Sequence, residues 1–221
     1  MQSLSYTEEN YLKAIYHLSK VGKKVSTNAL AGNMSTTPAS VNDMLKRLSQ
    51  KDLITHIKYR GAIISSSGKK AALKVIRKHR LWEVFLVQIL GFKWDEVHDI
   101  AEQLEHIKSP LLVERLDQFL GKPTMDPHGD PIPDKNGNFN VGPSCPLSEL
   151  IVGERGVLIS VGNDDPKLLR YLDKINVRLG TKVLVKDIVE FDNSYELKTD
   201  EHESLFLSNQ IASLLQISKT A

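Results

Sequence analysis

The chain has 221 residues, 41% hydrophobic and 25% charged, with a formal net charge of +2. These values describe an ordinary globular protein of two or three small domains, and no apolar run approaches the roughly 20 residues that cross a membrane. The opening MQSLSYTEEN lacks the basic and apolar regions of a secretory signal, and the single Cys145 excludes an internal disulfide framework, so a reducing cytoplasm is expected.

Charge is spread unevenly. Residues 1–80 carry 15 Lys/Arg against 4 Asp/Glu, residues 81–150 carry 5 against 12, and residues 151–221 carry 9 against 11. A basic first segment suits a polyanion, and an acidic second one suits cations.

Residues 7–20, TEENYLKAIYHLSK, predict a helix with Thr7 as N-cap, Glu8 and Glu9 at its positive end, and an apolar stripe of Tyr11, Leu12, Ile15 and Leu18. A short helix begins at Ser26 or Thr27. After a tight connection, Pro38 takes the first position of another helix, where its missing N–H costs nothing. That helix runs to about Lys51 with Val41, Leu45 and Leu48 inward, and the pair reads as a helix-turn-helix. Thr37, Ser40, Asn42, Asp43, Lys46 and Arg47 face outward. Their hydroxyl, amide and basic groups suit the phosphates and base edges of double-stranded DNA. LITHIKYRGAIISSSGKK alternates about Arg60-Gly61 and predicts a two-stranded wing with Tyr59 and Arg60 near its tip.

Three more helices follow, at 69–90, at 95–107 and over PLLVERLDQFL. Trp82, Val84, Phe85, Val87, Leu111 and Leu112 exceed what one small helical layer buries, so homodimerisation is expected. Residues 122–148 are dense in Pro, Gly, Asn and Asp and read as an ordered loop or linker. The remainder shifts to β-like runs (ERGVLISV, KVLVKDIVEF, SYELKTD and SLFLSNQIASLLQI) around a short helix, DPKLLRYLDKI, which suits a small SH3-type β-barrel. The fold is thus mainly α with small β: a winged helix-turn-helix domain at 1–72, a helical metal-binding and dimerisation domain at 73–142, and an SH3-like domain at 143–221.

The acidic segment holds VHDIAEQLEH, in which His98, Glu102, Glu105 and His106 fall within roughly 100° of one helical face. His79 and Glu83 repeat the i, i+4 spacing in RKHRLWEVFL. Buried carboxylates without a partner are costly, and a divalent cation removes that cost. A solvated Glu/His face is the simpler alternative. A hydrolytic metal site is a further one, though EQLEH lacks the first histidine of HExxH and no nucleophile motif accompanies it. A winged-helix regulator answering to a protein partner is another.

ENYLKAIYHL, STTPASV, RKHRLWE, VHDIAEQLEH and PHGDPIP together resemble the diphtheria toxin repressor family of metal-dependent transcriptional regulators, over essentially the whole chain. The resemblance implies a homodimer that binds Mn²⁺ or Fe²⁺ and, when loaded, represses metal-uptake genes at a DNA operator, with no small-molecule substrate and no membrane. It implies two ions per chain. The primary set is Asn10, Glu102, Glu105 and His106. The iron-type branch has Met and Cys at the first two of these positions. Glu102 matches the manganese-type branch, which has Asp where Asn10 stands. The ancillary set is His79, Glu83 and His98, joined by Asp126 and His128 from the linker and by Asp165, or its neighbour Asp164, from the third domain. The DNA-reading set is Thr37, Ser40, Asn42, Lys46, Arg47, Tyr59 and Arg60.

Overall fold

A computed structural model describes residues 4–19, 24–57 and 60–220; Tyr59, expected at the wing tip, lies outside the described residues. The chain divides into two compact units, one of residues 1–79, 102–113 and 133–139, the other of residues 80–101, 114–132 and 140–221.

In the first unit, α1 (Tyr6–Leu18), α2 (Thr27–Asn33) and α3 (Pro38–Gln50) pack with the antiparallel hairpin of β1 (Ile54–Ile57) and β2 (Gly61–Ile64). The core is Leu12, Ile15, Leu30, Val41, Leu45, Leu48 and Ile54, as the spacing of apolar residues requires. Ser26 caps α2 and Thr37 caps α3, with Pro38 in the first turn. Arg60 is exposed at the hairpin's turn. Gly61 is obligatory there: its φ is +99°, and a Cβ would stand 1.9 Å from the Val25 carbonyl oxygen, where Val25 pairs with Ala62.

Thr7 is not the N-cap of α1. Ser5 is, because it alone has a glutamate three residues on: Glu8 N donates to Ser5 Oγ, and Glu8 Oε2 accepts from Ser5 N. Glu8 is buried rather than merely placed at a positive helix end, and its Oε1 lies 2.6 Å from Lys51 Nζ. Ser5→Ala is therefore expected to lower the unit's stability by about 1 kcal/mol, while Thr7→Ala stays within experimental error. Equal losses in paired thermal melts would contradict this assignment.

Helix α4 (Ser66–Gln88) starts three residues before the expected Lys69, because Ser65 caps it, its Oγ accepting from Gly68 N. The expected 95–107 helix is shorter: α5 spans His98–Leu104, and Glu105 and His106 sit in the turn that follows. Helix α6 covers Pro110–Phe119. Among the apolar surplus, Trp82 and Val84 are buried, whereas Leu111 and Leu112 are exposed.

In the second unit, six antiparallel strands run in the order β3-β8-β4-β5-β6-β7: β3 (Cys145–Pro146), β4 (Arg155–Val161), β5 (Lys182–Ile188), β6 (Tyr195–Thr199), β7 (Leu205–Leu207) and β8 (Leu215–Thr220). This is the SH3-like β-domain, with α7 (Pro166–Lys174) packed on its core through Leu169 and Leu172. The last β-like run is two strands rather than one. Ser208 accepts from Ile211 N and starts a single turn, α8 (Asn209–Ala212), between them. Among the described residues no helix is long and apolar enough to cross a membrane.

Candidate metal centres

The first unit holds a charged cluster built from α1, the last first-unit turn of α4, and the end of α5. Glu105 is fully buried at its centre. His79 Nδ1 lies 2.7 Å from its Oε2. Lys13 Nζ lies 2.7 and 2.8 Å from its two oxygens and also donates to Glu102 Oε1. Burial pushes the Glu105 carboxyl up. The His79 hydrogen bond and the Lys13 charge outweigh that, and the group ends below its usual range. His106 Nδ1 is 2.6 Å from Glu9 Oε2, and its ring stacks on Tyr6 with centroids 4.6 Å apart. Asn10 Oδ1 is buried with no hydrogen-bond partner among the described residues. His79, Glu102 and Glu105 each offer a ligand atom within 4.8 Å of the others. Glu9 and Lys13 are members that the ligand pattern did not reveal. Both are one turn or less from Asn10 on α1, the only sequence signal that they share its surroundings.

The second unit holds a different set. Glu83 from α4 meets Asp126 and His128 from the 122–132 loop, their ligand atoms within 4.8 Å of one another and all three side chains buried. The loop is no mere linker. Asp126 Oδ1 accepts from the backbone N–H groups of His128 (2.8 Å) and Asp130 (2.9 Å). Arg80 donates to the Pro131 carbonyl and reaches Asp130 Oδ2 at 2.7 Å. Val161 N donates to the His128 carbonyl, so strand β4 holds the loop from its other side. His128 Nε2 lies 2.8 Å from the Trp94 carbonyl oxygen. A carbonyl only accepts, so Nε2 carries a proton, and Nδ1 faces Glu83 at 3.7 Å and Asp126 at 4.0 Å.

Two buried carboxylates this close need a positive charge. Burial first, and then the Glu83 carboxylate, push the Asp126 carboxyl well above its usual range, with Arg80 only partly opposing them. Arg80 stands 3.4 Å from Asp126 Oδ2 and is shared with Asp130. Glu83, Asp126 and His128 therefore fit a hard divalent cation, with oxygen and imidazole donors, a desolvated charge to neutralise and an oriented histidine.

His98 opens α5, and a ligand atom of its ring lies within 4.8 Å of one on Glu83. Its Nδ1 is 2.7 Å from Asp164 Oδ2, and that hydrogen bond holds the Asp164 carboxyl down at about 2. Asp164, not Asp165, is the third-domain carboxylate at this place. Asp165 is committed elsewhere, capping α7 with Oδ1 accepting from Lys167 N.

Of the expected DNA-reading side chains, Thr37, Ser40, Lys46 and Arg47 are exposed along α3 and Asn42 is half-buried. Thr37 and Ser40 bond to each other across the first turn, and Lys46 pairs with Asp43 at 3.1 Å.

Comparison with known proteins gives matches along the chain. Residues 3–62 match the N-terminal DNA binding domain of iron dependent repressors, residues 65–134 match the metal binding and dimerisation domain of the same proteins, and residues 145–219 match the FeoA domain. The iron-dependent repressor IdeR of Mycobacterium tuberculosis strain H37Rv is 31% identical over 190 residues, which is 86% of this chain and 75% of that protein. Among solved structures, a manganese-dependent transcriptional repressor in complex with manganese has a TM-score of 0.88 at 33% identity, covering 96% of this chain and 100% of that one. ScaR with bound Zn²⁺ has a TM-score of 0.81 at 33% identity, covering 96% and 99%. These relatives are repressors and not enzymes, which removes the hydrolase reading. The chain belongs to the iron-dependent repressor family, the diphtheria toxin repressor family of metal-dependent transcriptional regulators.

Proposed function

We propose that this protein is a cytoplasmic, homodimeric repressor whose DNA-ready form is favoured by Mn²⁺ or Fe²⁺ held by Glu83, Asp126 and His128, with His98 and Asp164 completing the set. The observation that carries this reading is the buried Glu83–Asp126 pair facing the oriented Nδ1 of His128. The manganese of the similar repressor complex supports the choice of metal. A bound divalent cation would add positive charge between the two buried carboxylates.

The chain's own residues do the rest. Glu83 lies on α4, Asp126 and His128 on the 122–132 loop, and Asp164 before α7. Drawing their donor atoms together fixes one arrangement of helix, loop and β-domain at the expense of others. The shift in population equals the difference in affinity between arrangements. In the first unit, α3 presents its hydroxyl and basic side chains to the major groove, and Arg60 of the wing meets the flanking phosphates. Exposed Leu111 and Leu112 of α6 supply an apolar dimer face. In the dimer two α3 helices meet successive major grooves about 34 Å apart.

Operator binding measured in Mn²⁺ and in chelator tests the proposal. Tight binding only with metal is the expected result, and equal affinity would refute it. Arg47→Ala and Arg60→Ala are each expected to reduce the slope of log affinity against log salt by about 1, across all DNA sequences for a phosphate contact. An unchanged slope in both would remove α3 and the wing from the interface.

A further inference from the structure

We propose that Asp43 determines base specificity on α3: together with Lys46 it selects a C·G base pair at one fixed position of each operator half-site, the carboxylate accepting from the cytosine amino group and the ammonium donating to the guanine. This rests on the reading given above, in which α3 enters the major groove. Residues 1–80 carry 15 Lys/Arg and only four carboxylates, Glu8, Glu9, Asp43 and Asp52. Three of the four have places within the fold. Glu8 closes the capping box and meets Lys51, Glu9 meets His106, and Asp52 occupies a left-handed turn after α3 at φ of 57°. Asp43 is the one carboxylate of α3, and its side chain is 69% exposed. Lys46 Nζ, on a side chain 63% exposed, donates to its Oδ1 at 3.1 Å.

Ala39, Asp43, Lys46 and Gln50 are all exposed and fall at i, i+4, i+7 and i+11, so they run down the middle of the outer face, opposite Val41, Leu45 and Leu48 in the core. Asp43 is in the second turn of α3, towards the end at which a recognition helix meets base edges. Ala39, one turn before it, is only a methyl, so no bulk there holds the short carboxylate away from the groove floor. In a segment this basic, facing a polyanion, a carboxylate weakens every complex except one that offers it a hydrogen-bond donor. On the major-groove edge only the amino groups of cytosine and adenine donate. The adenine amino group lies between two acceptors, its own N7 and the thymine O4, and both repel a carboxylate. The cytosine amino group has an acceptor on one side only, the guanine O6. That oxygen and the adjoining N7 are what a lysine takes. One C·G pair thus presents a donor beside acceptors, the complement of the acceptor and donor that Asp43 and Lys46 hold side by side. An exposed i, i+3 ion pair is weak, so turning both groups from each other to the base pair costs little.

The test is selection of binding sites from a random duplex library by the full-length protein in Mn²⁺, for wild type, Asp43→Asn and Asp43→Ala, followed by affinity measurements on the selected sites. The position is exposed, so thermal melts matching wild type are expected for both variants. Wild type should enrich cytosine at one position of each half-site, and replacing that C·G pair with T·A should weaken its binding about tenfold or more. Asp43→Asn should enrich adenine at the same position, because an amide pairs with adenine N6 and N7. Asp43→Ala should lose the preference for cytosine over thymine there, and all three proteins should agree elsewhere in the site. Both variants should also bind unrelated duplex DNA more tightly and with a steeper dependence on salt, since a negative charge facing the phosphates is gone. The same bases selected at every position by all three proteins would overturn the role of Asp43 and leave the proposed function intact. So would a wild-type preference for any base other than cytosine at the position that the substitutions alter. Wild type that enriches no sequence in Mn²⁺ would instead strike at the proposed function, and at this inference with it.

Discussion

Gly129→Ala is expected to cost the second unit about 3 kcal/mol and to abolish tight metal binding in the same step. Gly129 has φ of +83°, in the left-handed region that an L side chain rarely adopts. A Cβ would stand 1.9 Å from the Ile159 carbonyl oxygen and 2.7 Å from Ser160 Cα. Both are backbone atoms of β4, so no side-chain rotation relieves the overlap. The loop or the strand must move. The adjacent His128 hands its carbonyl to Val161 N at 2.9 Å, on the same strand. Displacing the loop therefore breaks that bond and swings Nδ1 away from Glu83. The melting temperature should fall by on the order of 10 °C, and a Mn²⁺ titration should lose its high-affinity phase. A variant that melts like wild type and keeps its Mn²⁺ would show that the close packing of loop on strand is unimportant.

Asp126→Asn should lower Mn²⁺ affinity by about 100-fold while making the metal-free protein more stable at neutral pH. Burial, and then Glu83, hold the Asp126 carboxyl well above its ordinary value of 3.8. The folded protein thus keeps a proton that the unfolded chain releases. The associated stability is complete below the unfolded value and is lost as pH climbs through the raised one. Asparagine does not ionise, so that loss disappears from the variant's melting curve in chelator. Metal uptake runs the other way, because the carboxylate must be deprotonated to bind, and wild-type affinity should rise with pH over the same interval. Full Mn²⁺ affinity in the asparagine variant would remove Asp126 from the ligand set.

The elements governed by short-range rules were legible in the sequence. Thr37 followed by Pro38 announces a helix start, and the apolar spacing of Val41, Leu45 and Leu48 names its buried face. The basic first segment and the wing about Gly61 could be read in the same way. The N-cap of α1 was misplaced by two residues because Thr7 is a good cap by type, whereas Ser5 wins by having Glu8 as its reciprocal partner. The metal-type residues were legible as types, but not their partners. Lys13 meets Glu102 and Glu105 across 89 and 92 positions of sequence, a pairing no local period encodes. The choice of Asp164 over Asp165 turns on which neighbour the helix start of α7 claims, and Asp165 is the one it takes. Pro and Gly content marked 122–148 as an ordered loop or linker, and the contacts of Asp126 and Asp130, the latter with Arg80 and Ser160, order its first part.

Trp94 gives the second-unit set a further property. Its carbonyl fixes the proton on His128, its indole N–H donates to Asp173 at 2.9 Å, and its ring lies nearly parallel to that of His128, with centroids 6.1 Å apart and planes 20° apart. A fluorophore clamped at both ends and stacked on an imidazole reports on the electronic state of that imidazole. The chain has only one other tryptophan, Trp82, on the buried side of α4. A change in Trp94 emission on adding Mn²⁺ is therefore the expected label-free sign of occupancy at the proposed site, readable in dilute protein and at the speed of mixing.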